Sequence, residues 1–147
     1  MLQASTGSSI QPSAKAAGRE AAKKAAASLS KIKLAFVYAS CEYPIHDVLS
    51  GVQEELPDVP IVGNTSFTGL ITPEGFISSP DGFVGIMTLS DEDLIVGTAT
   101  MGKGSNAFED GKKAARRAME AAGQTTPPDY FYMAASPGEE ESYLKGL

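Results

Sequence analysis

Cysteine and histidine each occur once in the 147 residues, as Cys41 and His46, and tryptophan is absent. A single cysteine forbids any intrachain disulfide, which favours a reducing, cytoplasmic setting. A zinc site made from this chain alone would need carboxylates in most ligand positions, which structural zinc seldom accepts, so neither a metal nor a cofactor is expected. Basic residues are also in deficit: 12 Lys and Arg face 18 Asp and Glu, a formal net charge of -6. Phosphate recognition rests on the opposite excess, which argues against a nucleic-acid partner. No apolar run approaches the roughly 18 residues that cross a bilayer, and the N-terminus lacks an apolar signal core, so no membrane association is expected.

What is present reads as alternating helices and strands. The alanine-rich stretch from Pro12 to Leu29 predicts a helix, with Pro12 where a first turn tolerates it and Ser13 as an early polar residue. "IKLAFVYAS" from Ile32 is aromatic and β-branched, the composition of a largely buried strand. Pro44 then opens a helix from Ile45 to Leu56, with Val48, Leu49, Val52 and Leu56 on one face and Pro57 at its end. Ile61 to Asn64 is a further strand. After Gly75, turn signals at Pro80-Asp81-Gly82 and Ser90-Asp91-Glu92-Asp93 separate apolar runs and predict an antiparallel meander. Asn106 to Ala122 is again helical, Tyr130 to Ala135 again a strand, and a last helix starts near Glu139.

The two ends of the chain resemble each other. "AGREAAKKAA" from Ala17 superposes on "DGKKAARRAM" from Asp110, Gly18 falling on Gly111. "FVYASCEYPIHDVLSGV" lies over "FYMAASPGEEESYLKGL", matching Phe36 with Phe131, Ala39 with Ala134, Leu49 with Leu144 and Gly51 with Gly146. The expected architecture is therefore α/β: a mixed sheet of duplicated strand-helix-strand-helix units, a meander between them, and helices packed on the sheet. Each long helix should then follow a strand, which predicts strands at Leu2 to Thr6 and Ile95 to Thr100. Residues 1–147 are expected to form one domain whose second repeat begins near 95. That repeat stops at Leu147, barely into its helix, which reads as a piece of a longer protein.

The ordered set "GREAAKKAAASL", "LAFVYASCEY", "DVLSGVQEELPDVPIVGNTS", "ITPEGF", "GKKAARRAMEAAG" and "EEESYLKGL" resembles the N-terminal part of FIST sensory domains over nearly the whole chain. The resemblance implies an intracellular, non-catalytic module that binds a small ligand such as an amino acid. It also implies a signalling output partner: a kinase, a cyclase or a chemoreceptor. One stretch departs from the pattern. The family usually has Gly-Cys-Ser/Thr-Ser/Thr-small-Gly-Glu where this chain has Gly63-Asn64-Thr65-Ser66-Phe67-Thr68-Gly69-Leu70, so a thiol and a carboxylate are missing and the family's ligand preference does not carry over.

Why an apolar strand should open into Asn64, Thr65, Ser66 and Thr68, none of them charged, has two answers. These side chains either cap their own backbone as it turns, or line a pocket beyond the carboxyl ends of the strands. In the pocket reading the ligand sites are Asn64, Thr65, Ser66 and Thr68 with Cys41, Glu42 and Tyr43, and Thr6 contributes from the first strand. Glu42, the acid nearest these tips, would pair with an amino group of the ligand. Cys41 lies before a helix, where a thiol can become a nucleophile, so a cysteine-dependent hydrolase is one alternative and a half-buried inert thiol the plainer reading. His46 could serve as a haem ligand in a gas sensor, or stand as a surface histidine.

"GTATMGKGSNAFEDGKK" from Gly97 approaches a phosphate-loop spacing, but Gly104 stands where Ser or Thr should meet magnesium, and helix capping by Ser105 or Asn106 explains it better. The stripe Lys112, Lys113, Arg116 and Arg117 reads as a solvated helix face. An exchange of strands or helices between two chains, giving a homodimer, stays open.

Overall fold

Alanine makes helix α1 (Ala14–Ala26) both easy to form and thin enough to pack closely. The computed structural model describes residues 1–147 and divides them into two compact units, Met1–Leu94 and Ile95–Leu147. Ser13 caps α1, its hydroxyl accepting from the Ala16 N–H at 3.4 Å. The alanines on one face, Ala17, Ala21, Ala22 and Ala25, are wholly buried.

In the first unit α1 follows strand β1 (Gln3–Ser9), and β2 (Ile32–Ser40) leads into α2 (Ile45–Glu55) and β3 (Ile61–Ser66). A hairpin of β4 (Leu70–Thr72) and β5 (Gly75–Ile77) precedes β6 (Val84–Ser90). The four-stranded sheet has the order β1-β6-β2-β3, and β4 pairs only with β5. β6 runs antiparallel to both β1 and β2, whereas β2 and β3 are parallel. The helices cover one sheet face, where Ala35, Val37, Ala39, Val84 and Ile86 meet Val48 and Val52. Fully burying a valine stabilises by roughly 1.5–3 kcal/mol. Buried hydroxyls finish the layer: Thr88 Oγ1 donates to the Ala25 carbonyl at the end of α1 at 2.7 Å, and Ser90 donates to the Ser30 carbonyl in the connection to β2.

Two glycines let α1 and α2 touch backbone to backbone. A Cβ on Gly18 would lie 2.2 Å from the Val48 carbonyl oxygen, and one on Gly51 would lie 2.1 Å from that of Lys15. In the second unit α3 (Ala107–Ala121), capped by Asn106, packs on α4 (Glu140–Gly146) in the same way. There a Cβ on Gly111 would lie 2.3 Å from the Tyr143 oxygen, and one on Gly146 would lie 2.1 Å from the Phe108 oxygen.

The mixed α/β class, the helices and the first-unit strands agree with the sequence reading, but the meander and two strands do not form. Ser90–Asp93 carries the chain out of β6 without folding it back, and β6 instead inserts between β1 and β2. Neither 95–100 nor 130–135 joins a sheet. Their composition suits a strand, yet a ladder needs a neighbour with free amides, and side chains such as Tyr130 (92% exposed) stay in solvent.

The helix contact gives a direct test. Gly18→Val should destabilise the first unit by about 3 kcal/mol, because the added side chain meets backbone and not a flexible group. The measurement is urea unfolding followed by circular dichroism, with Lys23→Val on the same helix, where the side chain is exposed, as the comparison.

Candidate functional site

Because β1 and β2 both run antiparallel to β6, and β3 runs parallel to β2, the carboxyl ends of β1, β2 and β3 share one edge of the sheet. Each of these strands ends in serine: Ser9, Ser40 and Ser66. Ser9 donates to Glu20 Oε2 at 2.8 Å and accepts from the Gln11 N–H at 3.3 Å. Ser40 accepts from the Glu42 N–H at 3.2 Å, and Ser66 donates to the Gly69 carbonyl at 2.7 Å. A short hydroxyl at a strand end replaces the lost ladder partner as the backbone turns. Ser9 and Ser40 escaped the sequence reading, although the repeated terminal serine was there to be seen.

The expected site residues divide into those near this edge and one apart from it. Cys41 is exposed and its N–H donates to the Ser66 carbonyl at 3.2 Å, which joins the tips of β2 and β3. Glu42, Asn64, Thr65 and Thr68 are exposed, and Ser66 is half-buried. The Thr68 carbonyl accepts from Ser78 Oγ at 2.7 Å, so the loop after β3 is pinned to the end of the hairpin. Thr6 lies in mid-strand opposite Met87, three residues short of the end of β1.

Tyr43 is buried within the core cluster, not open to the edge. Its hydroxyl donates to the Gln11 carbonyl, and its ring covers Gly82, where an added Cβ would lie 2.4 Å from a ring carbon. Gly82 also has φ +106°, a conformation that favours glycine. The tyrosine thereby ties the start of α2 to the chain leaving β1 and to the approach to β6. Burial, and then the negative charge of Asp81, push the phenol above its usual pKa.

Beside the β1 end lies a groove of about 420 Å³, lined by residues 8–12 with Glu20, Lys24 and Ile77. None of the expected site residues lines it. Lys24 Nζ bonds Glu20 Oε1 at 2.8 Å and donates to the Ser8 carbonyl at 3.0 Å. The Lys24 ammonium, and then the Ser9 hydroxyl, hold the Glu20 carboxyl below its usual range. A second groove, at the opposite end of the sheet, runs from Met1 and Gln3 to residues 90–93.

His46 is exposed in the first turn of α2 and lines neither groove. No three His, Cys, Asp or Glu side chains converge as metal ligands, and no helix is long and apolar enough to cross a membrane.

The first unit is thus a mixed α/β fold whose strands β1, β2 and β3 end together at a polar edge. The model of the FIST N domain matches residues 33–147. The chain therefore belongs to the FIST family of signal-transduction sensory domains. A search of curated proteins found no match.

Tyr43 supplies two tests. Tyr43→Phe should cost about 1 kcal/mol by leaving the Gln11 carbonyl short of a donor. Its pH signature is distinct. A pKa raised by folding means that the native state keeps its proton longer, so the contribution is complete below the unfolded value of about 10 and is lost as pH rises past it. Thermal unfolding of the wild type should fall more steeply at alkaline pH than that of Tyr43→Phe.

Proposed function

We propose that this chain is the cytoplasmic sensory part of a signalling protein, without chemistry of its own, which binds a small polar ligand such as an amino acid and passes the event to an output domain or protein. The observation that carries this reading is the shared edge at which β2 and β3 end, joined by the bond from the Cys41 N–H to the Ser66 carbonyl. Exposed Glu42, Thr65 and Thr68, with Asn64 and the rim of Ser66, supply charge and hydrogen-bonding groups there. Tyr43 fixes this edge from beneath, and Thr6 stands apart from it. Glu42 would pair with the ligand's ammonium group, and the neutral hydroxyls would orient the rest, since a charged group buried without a partner is costly. Nothing in the surroundings of Cys41 or His46 favours hydrolysis or haem binding over this reading.

The matching glycine contacts of the two helix pairs support a duplication, with Gly18 corresponding to Gly111 and Gly51 to Gly146. Helix caps at Ser13 and Asn106 fall in the same register. A second half-site built on the same plan would belong to residues 95–147.

A thermal-shift screen of free amino acids tests the ligand reading. At least one should raise the melting temperature, and Glu42→Gln should remove most of that rise while leaving the ligand-free melting temperature unchanged. Retention of the full rise by the variant would refute the role given to Glu42.

A further inference from the structure

We propose that the free edge of β1 pairs with β1 of a second copy of this chain, as an antiparallel dimer centred on Thr6, and that the groove at the β1 end receives the N-terminal residues of that copy. This inference is independent of the ligand reading.

β1 closes one end of the sheet order, so one row of its amides and carbonyls has no strand beside it. Edge strands are normally protected by charge, proline or a bulge. β1 itself contains no proline, bulge or charged residue: Gln3-Ala4-Ser5-Thr6-Gly7-Ser8-Ser9 is uncharged, its register with β6 runs unbroken from Gln3–Ser90 to Ser9–Val84, and the charge that does reach its free edge is the Lys24 ammonium on the Ser8 carbonyl. The charges around the strand already pair within the chain, Glu20 with Lys24 and the Met1 ammonium with Asp91, so two copies meet without an unbalanced charge.

The direction of the backbone fixes the register. The Ser5 carbonyl accepts from Thr88 Oγ1 and so faces β6, whereas the Ser8 carbonyl takes Lys24 Nζ and points away from it. Alternation along the strand then turns Ala4, Thr6 and Ser8 to the free edge. A two-fold axis at Thr6 sets Thr6 against its own copy, Ala4 against Ser8, and Leu2 against Ile10. Leu2 and Ile10 are large apolar residues with 57% and 56% of their surface exposed, and they flank the strand symmetrically about that axis. Leu2 of the second copy thereby reaches the groove walled by Ile10, Pro12 and Ile77. The other edge strand, β3, is shorter and has no such flanking pair. The Ser8 carbonyl can keep Lys24 on its second lone pair or release it when a strand amide arrives.

The test uses the whole chain. Light scattering on a sizing column should give a dimer at tens of micromolar protein, and Thr6→Lys, which sets two like charges opposite each other, should weaken it about tenfold or more. In a Cys41→Ser background, Thr6→Cys should form a disulfide-linked dimer on mild oxidation, because directly opposed residues lie about 5.5 Å apart between Cα atoms, within disulfide reach. Thr65→Cys, exposed on β3, should remain monomeric under the same oxidation. A wild-type monomer at high concentration, a dimer indifferent to Thr6→Lys, or cross-linking of Thr65→Cys as ready as that of Thr6→Cys would each overturn the proposal.

Discussion

β6 enters the sheet between β1 and β2 and runs against both, and most of what is distinctive about the first unit depends on that placement. It separates two parallel strands that a helix joins, it brings their carboxyl ends to one edge, and it leaves β1 with an open side. The pairing joins residues far apart in the chain, such as Gln3 and Ser90, so its loop-closure cost must be met by burial and hydrogen bonds that form only once the sheet exists. Val84 and Ile86 in the core, with the hydroxyl of Thr88 on the Ala25 carbonyl at the end of α1 and that of Ser90 on the Ser30 carbonyl before β2, supply that stabilisation.

The helix layer over this sheet is unusually thin, and its thinness is chemical. Alanine and glycine leave little side-chain volume between α1 and α2, so the two backbones approach at Gly18 and Gly51. The contact surrenders the apolar area that larger side chains would bury and gains close backbone packing with little side-chain entropy lost. α3 and α4 use the same solution at Gly111 and Gly146. A residue chosen for having no side chain thus does the positioning in both units.

At the strand ends, local turn chemistry and a polar surface are not competing descriptions. Ser66 spends its hydroxyl on the Gly69 carbonyl, and Ser40 accepts from the Glu42 amide, so these hydroxyls shape the loops. The loops they shape carry Glu42, Thr65 and Thr68 outward, where a solute can meet them. The residue types at this edge were legible in the sequence because serine and threonine mark turns. Their division into spent and exposed groups was not, since that depends on which carbonyl comes within reach after folding. Tyr43 is the clearest instance: as a residue it looks equally suited to a pocket wall, and only the ring's seat on Gly82 and the hydroxyl's bond to Gln11 make it a support.

The linear sequence was sufficient for whatever is decided within a few residues. The places of the helices, the cap at Asn106, the strand from Ile32 to Ser40, and the glycine correspondence between the two halves all follow from local propensity and spacing, whereas Pro12 lies outside α1, before the Ser13 cap, and not in its first turn. Folding in three dimensions decided the rest: that β6 neighbours β1, that neither 95–100 nor 130–135 has a ladder, and that Thr6 lies in mid-edge away from the strand tips. The physical reason is that a strand's partner is chosen by long-range burial and by the availability of free backbone groups, and neither quantity is written in the strand itself.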